Sequence, residues 1–328
     1  MSAAVELPAT RKLAGLVWSN SLALLLALVV VVFSLIRPDT YFTADNAQMI
    51  ASTNAVLAIL ALAAVPPLIA GQFDLSIGFQ LALAQSLCAG LILFQSLPPA
   101  LSALIVLALG VAIGLVNGLL VARAELNAFI ATLATGIVVQ GFTQLYTGGS
   151  SLFGEMPQAF LAFGRASVAG IPLALIYVLL AAAAMGAVYR YTDWGRRSFA
   201  VGGNAKAANL IGVPVKRIVI QSYMAAGFLA ALAGVLSCSI LGSSNPNIGM
   251  NYLLPAFAAV FLGAAPAGPG RFNAWGTVIA VYALAAGIAG LQQLGAAFYV
   301  EQFFNGGALL AALALAKWMS GRALAGAR

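Results

Sequence analysis

The sequence predicts an all-α integral membrane protein with about ten transmembrane helices, and three observations lead to this fold class. Of the 328 residues, 62% are hydrophobic and only 7% are charged, whereas soluble chains carry about 25% charged residues. The mean hydropathy is +1.02. Apolar runs of roughly 20 residues recur along the chain, each long enough to cross a hydrocarbon core of about 30 Å as a helix. The strand alternation of a membrane barrel is absent from the sequence.

The apolar runs define the predicted spans in chain order. They are 16–36, 46–70, 76–96, 101–121, 127–147, 171–189, 217–241, 252–265, 274–292 and 302–318. In the fourth span, Gly110, Gly114 and Gly118 share one helical face at four-residue spacing. Such small-residue faces let membrane helices approach closely, so we expect this face to pack against another helix.

Some spans are predicted to be broken. Pro66 and Pro67 are expected to end the second span, and the Asp74 carboxylate to cap a helix that begins at Leu75. In the eighth span, Pro255 and the following GAAPAGPG favour a broken or re-entrant helix. The candidate helix-break or gating positions are Gly71, Asp74, Gly78, Pro255 and Gly263.

Basic residues segregate to one side of these spans. With the N-terminus inside, alternation places 13 basic residues inside and only Arg37 and Arg165 outside, as the positive-inside rule requires. We therefore expect both termini to be cytoplasmic, and the net charge of +7 is a topology signal rather than a sign of nucleic-acid binding. The predicted organisation is a cytoplasmic segment 1–15, one transmembrane domain 16–318 with a cytoplasmic loop 190–217, and a cytoplasmic tail 319–328.

Several chemistries lack the residues they need. The four lysines, at 12, 206, 216 and 317, are not followed by Ser or Thr, so no phosphate-binding loop of the G-x-x-x-x-G-K-[ST] type exists and the chain cannot hydrolyse ATP alone. There is no histidine and no metal-ligand spacing, so we expect no metal site, no cofactor and no enzyme activity. Cys88 and Cys238 lie in apolar runs, which favours packing over a disulfide.

The stretch GGNAKAANLIGVPVKR, residues 202–217, predicts a short capped helix in the longest cytoplasmic loop. Gly202 and Gly203 free the backbone, Asn204 is the N-cap, and Gly212 with Pro214 ends the helix. A helix too short to be stable alone must pack on its own protein or on a partner, and the residues leave both alternatives open.

Four segments resemble one family. They are GQFDLSIG (71–78), GLVNGLLVARAELNAFIATLATGIVVQG (114–141), VGGNAKAANLIGVPVKR (201–217) and AALAGVLSCSILGSSNPNIGMNYLLPAFAAVFLG (230–263). In order and spacing they are similar to the ribose-type sugar permeases of bacterial ATP-binding cassette importers, and the resemblance runs from about residue 45 to 318. This chain departs from the common pattern at Gln72, Lys206 and Phe272.

The resemblance implies a multi-pass protein of the bacterial inner membrane that works as a homodimer or heterodimer of permease subunits. Its other partners would be two cytoplasmic ATPase cassettes, which bind ATP and Mg, a periplasmic sugar-binding protein and membrane lipid. The resemblance also implies that a coupling helix in the loop 190–217 seats in the ATPase. The residues that fall on it are Gly203, Asn204, Ala208, Leu210 and Gly212.

Neutral polar side chains within or bordering the spans are candidates for the translocation path, although many are expected to bond to neighbouring helices. They are Asn54, Gln85, Asn117, Asn127, Thr132, Gln140, Gln144, Asn245 and Asn247. Such a path suits a neutral monosaccharide or small polyol, because a charged solute would meet no counter-ion. The alternatives are a branched-chain amino-acid permease of the same superfamily and, in a different class, a passive channel or membrane scaffold.

Overall fold

The computed structural model describes residues 20–264 and 272–325, and this part of the chain is mainly helical. In chain order the helices are α1 (Ser21–Ile36), α2 (Ala44–Thr53), α3 (Ala55–Ile69), α4 (Ile77–Leu93), α5 (Pro99–Ala122), α6 (Ala128–Thr147), α7 (Gln158–Arg165), α8 (Leu173–Tyr191), α9 (Asp193–Gly203), α10 (Ala205–Leu210), α11 (Val215–Leu241), α12 (Ile248–Ala264), α13 (Ala274–Gln293) and α14 (Val300–Ala325). Four two-residue strands complete the secondary structure: β1 (Leu152–Phe153), β2 (Ser167–Val168), β3 (Ile171–Pro172) and β4 (Ser243–Ser244).

Helices lie at each predicted span, with α2 and α3 together forming the second. Among the described residues, five helices are long and apolar enough to cross a membrane, namely α5, α6, α8, α11 and α13. The pair α2 and α3, bent by 42°, makes six if it is one span. The apolar helices α1, α4 and α12 have 16, 17 and 17 residues. The all-α membrane class is therefore confirmed. The predicted segment 1–15 and residues 326–328 of the predicted tail lie outside the described residues.

Helix α11 is the centre of the bundle and packs most extensively on α5, α4 and α3. The predicted glycine face of α5 makes the closest of these contacts. A β-carbon on Gly110 would overlap the backbone carbonyl of Gly227, and one on Gly114 would overlap that of Tyr223. A β-carbon on Gly118 would lie 2.7 Å from Cα of Ile220. The prediction that this face packs against another helix is thus confirmed.

The prolines lie inside their helices, and only one of the two expectations drawn from them is met. Pro66 and Pro67 lie inside α3, which continues to Ile69, and Pro255 lies inside a continuous α12. Helix α3 thus ends two residues after Pro67, as expected for the end of the second span, whereas the expected break at Pro255 is wrong. A proline removes one backbone donor, and in a membrane helix the neighbouring helices hold the segment together despite that loss. The stretch GAAPAGPG runs beyond Ala264 into residues 265–271, which lie outside the described part of the chain.

One end of the bundle collects the α3–α4 loop, the α5–α6 loop, α9 and α10. A β-carbon on Gly71 in the first loop would lie 3.4 Å from Cα of Gly202 in α9. At the same end, Nζ of Lys216 lies 3.0 Å from a carboxylate oxygen of Glu125. These are the segments that the alternating topology places together on one side.

The opposite end of the bundle contains the loops that the predicted alternation of spans places on the other side of the membrane. The amide of Gln293 donates to Oδ1 of Asn46 at 2.9 Å, which joins the end of α13 to α2. Strand β1 pairs antiparallel with β4, with Leu152 opposite Ser244, and strand β2 pairs with β3. The short helix α7 lies between β1 and β2 in the chain.

Candidate functional site

The helix α10 is capped as the sequence predicts. Oδ1 of Asn204 accepts a hydrogen bond from the backbone N–H of Ala207 at 3.0 Å, and the Asn204 backbone is extended, as an N-cap requires. Gly212 follows with φ +83°, a left-handed conformation that favours glycine. The predicted short helix is confirmed, and its last residue is Leu210.

A second helix precedes it, which the sequence analysis missed. Helix α9 begins after Thr192, whose side chain accepts from the backbone N–H of Gly195 at 3.2 Å. From the sequence, Gly202 and Gly203 near its end predicted a flexible loop. In the structure Gly202 instead provides close contact, because a β-carbon there would overlap the carbonyl oxygen of Ile69 at the end of α3.

Helix α10 has an inner and an outer face. Ala208 is buried against the start of α11 and the end of α5, in a cluster with Val121 and Ile218. Leu210 and Ile211 are 87% and 79% exposed. Large apolar side chains exposed together at the end of a short helix are typical of an interaction surface.

The coupling candidates therefore differ in what they contact. Asn204 caps the helix and Ala208 anchors it to the bundle. Gly203 is exposed, and within the described residues no atom lies within 4 Å of where its β-carbon would be. Leu210 points away from the bundle, and Gly212 ends the helix.

A buried polar network lies beside this end of the bundle, where the α3–α4 loop meets α4 and α5. Oδ1 of Asp74 accepts from the Ser76 backbone N–H at 3.0 Å and from the Ser76 hydroxyl at 2.5 Å. Ser76 Oγ accepts from the amides of Gln80 and Asn117, both at 2.7 Å. The hydroxyl thus uses its one donor and both of its acceptor sites. The expected cap by Asp74 of a helix beginning at Leu75 is wrong, because α4 begins at Ile77 and its N-cap residue is Ser76.

Three oxygen atoms of this network, on Asp74, Gln80 and Asn117, have no hydrogen-bond partner among the described residues. All three side chains are almost completely buried. Burial raises the pKa of Asp74 from 3.8 to about 6, and the hydrogen bonds from Ser76 act in the opposite direction. The loop therefore holds a carboxyl group whose pKa is raised well above its ordinary value by burial.

The same loop is tied to two other helices. Its Leu75 backbone N–H donates to Oγ1 of Thr132 on α6 at 3.0 Å. The hydroxyl of Tyr223 on α11 donates to the Phe73 carbonyl at 2.8 Å. The sequence analysis named Asp74, Asn117 and Thr132 but missed Ser76, Gln80 and Tyr223. A lone Ser, Gln or Tyr in an apolar span carries no pattern that reveals its partner.

In the middle of α4, Gln85 bridges three segments. Its amide donates to the Ser237 hydroxyl on α11 at 3.1 Å, and its oxygen accepts from the Asn245 backbone N–H at 3.1 Å. Gln85 is fully buried. It therefore connects α4 and α11 to the loop before α12, which is a structural contact.

Three other path candidates meet near this loop. The amide of Gln140 on α6 donates to Oδ1 of Asn247 and to the carbonyl of Pro246, both at 3.0 Å. Oδ1 of Asn245 accepts from the Asn247 backbone N–H at 2.9 Å. Gln144 lies one turn beyond Gln140 and is exposed. This group offers neutral donors and acceptors at the surface of the described chain.

The remaining path candidates have local roles. Asn54 lies at the bend between α2 and α3, and its amide donates to the Ile50 carbonyl at 3.0 Å. Asn127 is the N-cap of α6 and accepts from the Ile130 backbone N–H at 3.2 Å. Of the helix-break candidates, Gly78 packs on α12, where its β-carbon would lie 2.7 Å from the carbonyl oxygen of Gly249.

Charged residues occupy few positions in the apolar helices. In the apolar helices α1–α6, α8 and α11–α13, charged residues lie only in a first or last turn. Among the described residues, no group of three or more Cys, Asp or Glu side chains is placed to hold a metal ion. Cys88 and Cys238 are free and buried.

These features define a multi-pass membrane protein that has a short helix exposed at one end and neutral polar groups among its apolar helices. A sequence model of the family described as "Branched-chain amino acid transport system / permease component" matches residues 46–313. The chain belongs to this family of permease components.

Sequence similarity to other proteins covers nearly the whole chain. The ribose import permease protein RbsC of Bacillus subtilis (strain 168) is 34% identical over 291 residues, which cover 88% of this chain and 90% of that protein. The RbsC of Escherichia coli (strain K12) is 33% identical, covering 92% and 94% of the two chains. The galactose/methyl galactoside import permease protein MglC of Salmonella typhimurium (strain LT2) is 31% identical, covering 94% and 97%.

Proposed function

We propose that this chain is the membrane permease subunit of an importer that moves a monosaccharide or related small neutral polyol into the cytoplasm, powered by a separate ATPase subunit. The observation that carries the proposal is the similarity of about nine tenths of the chain to proteins named as ribose and galactose import permeases. The fold and its polar groups support it independently of those names.

The chemistry of the helices supports a neutral substrate. Because charged residues of the apolar helices lie only at their ends, a charged solute crossing the bundle would find no counter-ion there. The group Gln140, Gln144, Asn245 and Asn247 offers amide donors and acceptors that can exchange with sugar hydroxyls. Gln85 and Asn117 are already committed to contacts inside the bundle, and we assign them a structural role.

Helix α10 supports the proposed coupling to an ATPase. Leu210 and Ile211 are exposed at the end of the protein, and a partner that covers them would gain apolar burial of about 25 cal/mol per Å². The sequence provides no nucleotide-binding loop, so ATP and Mg belong to the partner. We assign Leu210 to the docking surface, Asn204 and Ala208 to holding the helix, and Gly203 and Gly212 to its two ends.

The arrangement that follows has ten spans within 16–318, both termini in the cytoplasm and the coupling loop 190–217 facing the ATPase. It lies in the inner membrane as one of two permease subunits and receives its substrate from a periplasmic binding protein. Of the gating candidates, Gly71 and Asp74 lie in the α3–α4 loop and Gly78 lies in the first turn of α4. The loop contacts α9 at Gly202 and α12 through the ring of Phe73. We propose that this loop relays movement of the coupling segment into the bundle, with Pro255 and Gly263 acting in α12.

A second candidate function is import of branched-chain amino acids, which the family description favours. A zwitterion needs charge partners or helix ends along its path, and the interiors of the apolar helices offer no charged side chain among the described residues. The two functions are distinguished by one measurement of substrate preference.

The experiment is to reconstitute this chain with its ATPase and binding protein in liposomes and to measure uptake of labelled solutes. The panel contains pentoses, hexoses, polyols, leucine and isoleucine, with and without ATP. We expect ATP-dependent uptake of a neutral sugar or polyol. Preferential uptake of an amino acid would establish the second candidate, and equal uptake without ATP would establish a passive channel.

A further inference from the structure

A pocket of about 510 Å³ lies between α12 and α14, near the first turns of both helices. Small-molecule sites usually have volumes of about 300–1,000 Å³, so the pocket has room for a small solute. Part of its lining is apolar and includes Leu254 and Phe298. Four polar side chains also line it, and none of them is among the path candidates of the sequence analysis. They are Asn251, Glu301, Gln302 and Asn305.

Helix geometry explains why these polar groups meet in one pocket. On α14, Glu301 and Asn305 are four residues apart, and Gln302 and Asn305 are three apart, so all three lie on one helical face. Asn251 lies in the first turn of α12, which packs directly on α14. Both walls of the pocket therefore contribute polar side chains.

The polar groups of the pocket are available to bind a solute. Within the described residues, none of the four side chains forms a hydrogen bond or an ion pair. This distinguishes them from Gln85 and Asn117, whose amides are bonded inside the bundle. A polar side chain of a membrane helix is costly where it faces lipid. Four of them on facing helices therefore indicate a space that water or a polar solute fills.

The lining is suited to a neutral solute with several hydroxyl groups. Amide side chains both donate and accept hydrogen bonds, and an ionised Glu301 accepts them from hydroxyl donors. Neither Lys nor Arg is among the described residues that line the pocket, so an anion would find no counter-ion there. Phe298 is 82% exposed, and its ring offers an apolar face on which the C–H groups of a sugar can pack.

We propose that this pocket binds a monosaccharide or small polyol during its passage through the protein, an inference that rests on the proposed function. The hydroxyl groups of the solute bind to the three amides and to the Glu301 carboxylate. One face of its carbon skeleton lies against Phe298. The pocket thereby gives the path a site with both hydrogen-bonding and apolar contacts.

The position of the pocket agrees with entry from the periplasm. Asn247 contacts Gln140 and lies four residues before Asn251, so the exposed amide group described above and the pocket occupy the same end of α12. In the proposed topology this end faces the periplasm, which is the side from which a binding protein would deliver the sugar.

An amino acid or a cation fits the pocket less well. The carboxylate of an amino acid would be repelled by Glu301, and no basic side chain among the described lining residues would offset that repulsion. A cation would bind the carboxylate and amide oxygens, but it would leave the amide N–H groups and the Phe298 ring without a partner.

The test is protection of a cysteine from a small thiol reagent in the full-length protein. Gly306→Cys places a thiol in the lining of the pocket, and Gly307→Cys is the matched control, because Gly307 follows on the same helix but does not line the pocket. Both glycines are exposed, and no described atom lies within 4 Å of either β-carbon position. Cys88 and Cys238 are buried and should give little background. We expect millimolar ribose or galactose to slow labelling of Gly306→Cys severalfold and to leave Gly307→Cys unchanged.

Variants of the polar residues, each combined with Gly306→Cys, test the contacts. Asn305→Leu and Gln302→Met keep the side-chain size but remove hydrogen bonds, so each should weaken protection by the sugars about fivefold. Gln95→Met, at an exposed position of the α4–α5 loop, should not. Glu301→Gln keeps an acceptor, so protection by the sugars should remain. Thermal midpoints identify any variant that fails to fold, and the two cysteine variants alone then decide the question.

The proposal is overturned if neither sugar protects Gly306→Cys, or if leucine or ethanolamine protects it better than the sugars do. It is also overturned if Gly306→Cys does not react while Gly307→Cys does, since another part of the assembly would then cover the pocket. The labelling requires neither ATP nor uptake. Sugar uptake without protection would overturn this site alone, and protection without sugar uptake would overturn the proposed function alone.

Discussion

Gly202 and Ile69 are in direct backbone contact, so closely that a β-carbon on Gly202 would overlap the Ile69 carbonyl oxygen. One residue, Asn204, separates the end of α9 from α10. Ile69 ends α3, and the loop that follows carries Asp74. A displacement of α10 by a partner would therefore reach the α3–α4 loop through this contact without crossing a flexible linker.

We predict that Gly202→Ala destabilises the protein by about 1–3 kcal/mol, because the added methyl group meets backbone that has little room to shift. Gly203→Ala is the matched control, since no described atom lies within 4 Å of its β-carbon position. Thermal unfolding in detergent measures both. Equal midpoints for the two variants would show that α9 does not press on α3.

Replacing Leu210 by Asp should leave the protein inserted and abundant while lowering ATPase association and transport. Leu210 is 87% exposed, so the folded chain alone loses little, whereas a partner would have to bury a charge. Val168→Asp, on the exposed β2–β3 hairpin at the other end of the bundle, is the control. Co-purification with the ATPase and uptake rate are measured for both, and unchanged association of Leu210→Asp would refute the docking role.

Stability should depend on pH through Asp74. Burial raises its pKa from 3.8 to about 6 in the folded chain, so the folded state binds this proton more tightly than the unfolded state. The free energy of unfolding should then decrease as pH rises from about 4 to about 6, by about 3 kcal/mol, and stay level above that range. Thermal midpoints across this range measure the effect.

Asp74→Asn tests the source of that dependence. The variant keeps an acceptor for Ser76 and supplies a donor for the network's unpaired oxygens, so we expect it to fold and to lose the decrease between pH 4 and 6. Asp74→Leu leaves the Ser76 N–H and hydroxyl without their acceptor and should be less stable at every pH. Parallel curves for the natural protein and Asp74→Asn would assign the dependence to another group.

Gln85→Leu should lower stability by about 1–3 kcal/mol, because it leaves the Asn245 N–H and the Ser237 hydroxyl without their partner. Gln144→Leu changes the same residue type at an exposed position and should have little effect on the thermal midpoint. If both variants have the same thermal midpoint as the natural protein, the contacts of Gln85 with Ser237 and Asn245 do not stabilise the fold.

The sidedness of the bundle can be measured directly. A cysteine replacing the exposed Lys206 should react with a thiol reagent only from the cytoplasm, and one replacing the exposed Glu155 only from the periplasm. Cys88 and Cys238 are buried and should give little background. Labelling of the Lys206 position from the periplasm would reverse the proposed topology.

The sequence predicted the features that depend on local composition. Apolar length set the helix positions, the spacing of Gly110, Gly114 and Gly118 indicated a contact face, and Asn204 signalled a cap. Each of these signals depends only on residues within a few helical turns of one another, so tertiary contacts change it little.

The features that sequence reasoning missed depend on distant partners. Pro255 would normally interrupt a helix, but here neighbouring helices hold the chain helical through it. Gly202 looked flexible because glycine serves both flexible loops and close contacts, and only the position of Ile69 distinguishes the two. The orientation of α10, with Ala208 inward and Leu210 outward, likewise follows from where α5 and α11 lie.

The central position of α11 also governs the order in which the protein can be built. The helix spans residues 215–241 and completes the contacts of α3, α4 and α5, all of which leave the ribosome before it. Until α11 enters the membrane, the glycine face of α5 has no partner and must be covered by lipid. Newly inserted chains shorter than about 241 residues therefore have unassembled cores, and a chain truncated before α11 should be recognised by membrane quality-control proteases. The N-terminal half of the protein therefore cannot complete its packing until α11, from the C-terminal half, has entered the membrane.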